Sequence, residues 1–127
     1  MSANGDLITE FCASWPAMDL ERILAFFSEA AVYTNIPIDP PNEGIAAIRK
    51  AIEGFMGMAK SIEFVVHHQA ENAEGIVMNE RTDRFEVGDR VVEARVMGVF
   101  EVEDGKIRAW RDYFDLEQFM KAFRGEG

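Results

Sequence analysis

Apolar residues recur every three to four positions through the first half of the chain and every second position through the second half. Helices are therefore predicted first and strands after them. Leu7, Ile8, Phe11 and Trp15 fall on one helical face, and Pro16 interrupts that helix. Asp19 has the side chain of an N-cap, and Leu20, Ile23, Leu24 and Phe27 follow it at helical spacing. A short strand over residues 31–36 runs into the turn-forming Pro37, Asp39, Pro40 and Pro41. The longest helix is predicted over residues 44–59, with Ile45, Ile48, Ile52, Phe55 and Met56 as its apolar stripe.

Strands are predicted over residues 62–69, 75–87, 90–103 and 106–114. The turns around Gly88–Asp89 and Asp104–Gly105 join the last three as antiparallel hairpins, the second being a type I′ signature. Asp115 then caps a short last helix, with Gln118 three residues on. Helices followed by a strand meander predict an α+β fold, with helices packed on the concave face of a curved mixed or antiparallel sheet. Such a cone encloses a pocket between sheet and helices. At 127 residues, without repeats or linkers, the chain reads as a single domain over residues 1–127.

Composition narrows the possible partners. Hydrophobic residues make up 48% and charged residues 28%, and the formal net charge is −10. A chain this acidic is repelled by phosphate backbones and anionic lipid, so neither nucleic acid nor a membrane surface is expected as a partner. Cys12 stands alone, leaving no intrachain disulfide and no cysteine metal cluster. The first ten residues lack the basic start and apolar run of a signal peptide, and a cytoplasmic protein is expected.

Side chains alternate faces along a strand. In the 75–87 strand one face carries Val77, Asn79, Arg81, Asp83, Phe85 and Val87; the other carries Met78, Glu80, Thr82, Arg84 and Glu86. The second set is the solvated one, so Arg81 and Asp83 are predicted to point inward. In the last strand Trp110, Asp112 and Phe114 share a face, again a carboxylate between aromatics. Tyr33 and Asn35 share a face near the start. Interior charges are costly unless paired. Two carboxylates beside one guanidinium carry a net charge of −1, which is relieved if the site holds one proton. An acid and a base side by side suit general acid–base chemistry. An ion-pair network that only fixes strand register is the other reading of the same three residues.

Taken together, Tyr33-x-Asn35, Arg81-x-Asp83 and Trp110-x-Asp112 resemble the limonene-1,2-epoxide hydrolase family, with the wider nuclear-transport-factor-2-like and SnoaL-like cone folds behind it. The resemblance runs from Asp19 to Phe119. It implies hydrolysis of a small hydrophobic epoxide to a vicinal diol, in one step and without metal or cofactor. Tyr33, Asn35 and Asp112 would hold the water, with Asp112 as general base. Asp83 would be the general acid, and Arg81 the bridge between the carboxylates. Trp110, Met58, Phe85, Val96, Phe114 and Phe119 would contact the substrate, and the protein would form a homodimer. Val91, Val99, Ile107 and Tyr113 are expected on the outer sheet face, where such a dimer would pack.

Other features are expected to be structural. His67 and His68 are adjacent on a strand and so are predicted to point to opposite faces, which argues against a shared metal ion. Two other functions fit the same cone: an isomerase or cyclase, which needs one carboxylate base and neutral donors, and a non-catalytic binding module, which needs no interior charge.

Overall fold

A computed structural model describes residues 2–125 of the chain. The elements are α1 (Ala3–Ser14), a 3-10 turn (Trp15–Ala17), α2 (Leu20–Leu24), β1 (Phe27–Ile36), β2 (Asn42–Glu43), α3 (Ile45–Met58), β3 (Ser61–Glu71), β4 (Val77–Val87), β5 (Arg90–Glu103), β6 (Lys106–Phe114) and α4 (Leu116–Phe123). The six strands form one sheet in the order β2-β1-β6-β5-β4-β3. β1 and β6 run parallel and the other neighbours antiparallel.

The helix signals of the sequence correspond to local chemistry. Asp19 and Asp115 each accept a hydrogen bond from a backbone N–H three residues on, capping α2 and α4. Trp15 and Pro16 lie in the 3-10 turn that ends the first helical segment, and Met18 closes it in the left-handed conformation. Asp104 and Gly105 both have positive φ, as the type I′ turn between β5 and β6 requires.

The core gathers around Phe11, which is fully buried. Its ring meets Trp15, Phe26, Phe27, Phe100 and Trp110 edge to face, with centroids 5.1 to 5.9 Å apart. This aromatic cluster closes one end of the cone. The other end stays open between α3, α4 and the sheet.

Three expectations need correction, all where the local period breaks. The helix from Asp19 ends at Leu24, and Phe27 opens β1, which is ten residues long rather than six. Phe27 pairs with Ile107 across the parallel ladder and packs on Phe11, so tertiary pairing overrides its helical spacing. Ile107 is fully buried, not on the outer face. The β5–β6 register shifts between Glu101 and Val102, and this bulge turns Ile107 to the same side as Trp110. A second register shift lies between Val66 and His68 of β3. His67 is the extra residue, so alternation fails there, and both histidines border one shallow depression on the outer side of the sheet. The two-residue strand β2, pairing with Val32 and Tyr33, was not foreseen.

Candidate active site

Neighbouring strands carry the polar residues to one spot on the concave face. Arg81 and Asp83 stand two residues apart on β4, Asp112 lies on β6, and Tyr33 and Asn35 lie on β1. In the parallel β1–β6 ladder Asn35 is opposite Asp112 and Tyr33 is opposite Trp110. Between β4 and β6 runs β5, where Gly98 is opposite Asn79 on one side and Asp112 on the other. The Arg81 side chain crosses over this glycine. A Cβ there would come within 2.4 Å of Arg81 Nη1, 2.9 Å of Asp112 Oδ1 and 3.1 Å of Asn79 Oδ1. Gly98 is therefore the gap through which β4 reaches β6.

Arg81, Asp83 and Asp112 retain only 1%, 3% and 4% of their exposure. Arg81 Nε donates to Asp83 Oδ1 at 2.9 Å and Nη2 donates to Asp83 Oδ2 at 2.8 Å, a bidentate fork. The same Nη2 donates to Asp112 Oδ2 at 2.8 Å. Nη1 donates to Asn79 Oδ1 at 3.0 Å. Trp110 Nε1 donates to Asp112 Oδ1 at 2.6 Å. All four carboxylate oxygens thus accept a hydrogen bond. The guanidinium also lies over the Phe64 ring, 4.8 Å from its centroid.

Burial and charge set the protonation states. Burial pushes the Asp83 carboxyl up to about 6; the Arg81 bonds pull it part of the way back, and the Asp112 charge adds to the rise. Burial also raises Asp112, against the pull of Arg81 and the indole N–H. For Arg81, burial disfavours the charge, but Asp112 and Asp83 outweigh it and hold the guanidinium above its ordinary range. The Tyr33 hydroxyl is pushed above its ordinary value by burial and then by the Asp112 charge. It is a neutral donor, giving its proton to Asn35 Oδ1 at 3.1 Å.

A cavity of about 440 Å³ opens beside these groups. Tyr33, Asn35 and Asp83 are the polar residues in its wall, and Met58, Phe85, Val96, Phe114 and Phe119 all line it. Trp110 does not. It is fully buried one layer deeper, stacked under Tyr33 at 4.1 Å with 11° between the rings. The expectation that Trp110 contacts substrate is corrected accordingly: its indole is spent on Asp112 and its face on Tyr33. Asn79, Gly98 and Phe64 also surround the guanidinium, and nothing in the sequence singles them out for that place. Asn79 shares the inward parity of Arg81, and Gly98 interrupts an inward apolar row, but neither signal says what the residue touches.

The fold is a mixed α+β cone of the nuclear-transport-factor-2-like class, with an apolar cavity beside two carboxylates held on one guanidinium. Residues 3–124 match the family described as the limonene-1,2-epoxide hydrolase catalytic domain. Epoxide hydrolase EphG of Mycobacterium tuberculosis (strain ATCC 25618 / H37Rv) is 32% identical over 105 residues, 81% of this chain and 67% of that protein. The structure of an M. tuberculosis LEH-like epoxide hydrolase superposes with a TM-score of 0.83 at 27% identity, covering 98% of this chain and 91% of that one. An NTF2-like protein of Burkholderia pseudomallei K96243, at 17% identity and TM-score 0.85 over 97% and 98% of the two chains, shares the fold. The chain belongs to the limonene-1,2-epoxide hydrolase family and is an epoxide hydrolase.

The geometry at β5 yields a direct expectation. Gly98→Ala leaves the sheet signal in circular dichroism intact but displaces the guanidinium, and epoxide hydrolysis falls by roughly 100-fold or more. Wild-type turnover in that variant would contradict the placement of Arg81 over Gly98.

Proposed function

We propose that the protein hydrolyses a small hydrophobic epoxide to a vicinal diol by a single attack of water. Asp112 is the general base, Asp83 the general acid and Arg81 the bridge between them. The observation that carries this reading is the pair of buried carboxylates on one buried guanidinium, with net charge −1 and therefore room for one proton. Asp83 reaches the cavity and, with its carboxyl pushed upward, is the proton donor to the opening epoxide oxygen. Asp112 stands beside Asn35 and accepts the proton of a water held by Tyr33 and Asn35. As the water proton moves to Asp112 and the Asp83 proton moves to the epoxide oxygen, the net charge of the site is unchanged.

Attack by water rather than by a carboxylate is supported by the hydrogen bonds. Every oxygen of Asp83 and Asp112 is already an acceptor, which weakens each as a nucleophile while leaving a lone pair for proton transfer. Ring strain in the epoxide supplies driving force, so the proposed route needs no metal or cofactor. The aromatic lining, including Phe55, Phe85, Phe114 and Phe119, suits an apolar substrate. An isomerase does not need a guanidinium shared by two carboxylates, and a passive binding module does not need these charges buried.

A second copy of the chain is the proposed partner, packed on the outer sheet face. There Met97 opposes Tyr113 across the β5–β6 ladder, and both are about two-fifths exposed. Large side chains exposed side by side on an open sheet face support that reading.

Asp83→Asn and Asp112→Asn each abolish diol formation while the protein stays folded, and a single turnover in labelled water puts the label in the diol, not the protein. Substantial activity in either variant, or label in the protein, would sink the roles. Because the acid must carry its proton, kcat/KM falls by about tenfold per pH unit above the upper ionisation of the pair. A flat profile through that range would remove Asp83 as the acid. Sedimentation gives a dimer for the wild type and a monomer for Tyr113→Glu; a wild-type monomer would refute the interface.

A further inference from the structure

The carboxylate bridge has a third anchor that none of the roles above uses. Asn79 is fully buried on β4, two residues before Arg81 and on the same face. Its Oδ1 accepts from Arg81 Nη1 at 3.0 Å, on the edge of the guanidinium turned away from Asp83. Arginine has donors only, so this contact fixes the amide orientation: the oxygen must face Arg81 and the nitrogen must face away. Asn79 Nδ2 accordingly donates to Gln69 Oε1 at 3.1 Å, with Cys12 Sγ 3.7 Å away. That in turn orients Gln69, whose Nε2 donates to the Gly5 carbonyl at 3.1 Å and to Thr9 Oγ1 at 3.0 Å. A directed chain of hydrogen bonds thus runs from the guanidinium through β4 and β3 to α1.

We propose that Asn79 is a positioning residue whose amide, held by Gln69, fixes the plane of the Arg81 guanidinium and so governs how Asp83 and Asp112 share their proton. The proposal deepens the acid–base reading of the site and rests on it. Two features of Asn79 matter. It is an acceptor, so Nη1 is satisfied without recruiting a carboxylate, and Nη2 is left to span Asp83 and Asp112. It is also neutral, so the cluster keeps a charge of −1. An aspartate at the same place would bring a third carboxylate to one guanidinium and draw it from the other two.

The groups around the pair leave its titration readable. Burial pushes the Cys12 thiol of α1 up to about 12, and it raises the Tyr33 hydroxyl of β1 beyond its ordinary value, so both stay neutral. The facing residues of β3 are Phe64 and Gln69, and those of β5 are Gly98 and Phe100, none of which titrates.

The test follows the carboxyl carbons of Asp83 and Asp112 by carbon NMR of aspartate-labelled protein across pH, alongside kcat and KM for styrene oxide as a small aryl epoxide. In Asn79→Asp the upper titration step of the pair moves up by about one pH unit or more, as an added negative charge requires. In Asn79→Leu and in Gln69→Leu, kcat falls by about tenfold, with KM within about twofold of wild type, because the bridge is misplaced while the cavity wall is untouched. Gln69 is partly exposed, so its variant keeps the measurement available if Asn79→Leu does not fold. Titration curves in Asn79→Asp and kcat in the leucine variants that match the wild type would overturn the proposal. The NMR shift is read without turnover: its presence in a protein inactive on epoxides would uphold the positioning role and count against the hydrolytic reading alone.

Discussion

A guanidinium buried to 1% exposure must find acceptors for its N–H groups inside the protein, and the sheet is laid out to supply them. Asp83 comes from the same strand, Asp112 from a strand two places away, and Asn79 from the opposite direction along β4. None of this works unless the intervening strand presents no side chain, and β5 has Gly98 there. A buried ion pair is seldom a gain in stability over apolar packing. Here two carboxylates meet one cation, so the arrangement is unfavourable until a proton joins it. The residues that make the interior expensive are the same ones proposed as its acid and its base.

The aromatic layer works with the ionic one. Phe11 and its neighbours fill the closed end of the cone and fix Trp110, which sends its indole N–H to Asp112 and offers its face to Tyr33. Tyr33, pinned by that stacking, directs its hydroxyl to Asn35 at the cavity wall. Phe64 lies over the guanidinium and stacks on Trp15 at 4.7 Å. Packing that would stabilise any small α+β domain thus also sets the orientation of each polar group, and it does so without long loops.

Much of this was legible in the sequence because strands alternate. Parity alone put Arg81, Asp83 and Asp112 inside, and the helix caps at Asp19 and Asp115 followed from local chemistry. Alternation fails where strands bulge: a single extra residue reverses every face beyond it, so Ile107 turns inward and His68 joins His67 on the outer side of the sheet. The spacing of Phe27 predicts a helix, whereas its partner Ile107 lies 80 positions along the chain. The resemblance implies a substrate contact for Trp110, and parity, which gives a face but not a depth, could not correct it. Asn79 and Gly98 sat in plain view on the inward face; their meaning depends on which residues oppose them across two ladders, and register between strands is not written in either strand alone.

In the proposed mechanism one proton is shared by Asp83 and Asp112 across Arg81, with Asp83 holding it before reaction. Neutron diffraction from a deuterium-exchanged crystal at about pH 5, below the upper ionisation of the pair, locates that proton directly. The expected density is a single deuteron on an Asp83 oxygen, a bare Asp112 and a fully deuterated guanidinium. A deuteron on Asp112, or none on either carboxylate, would contradict the assignment of acid and base.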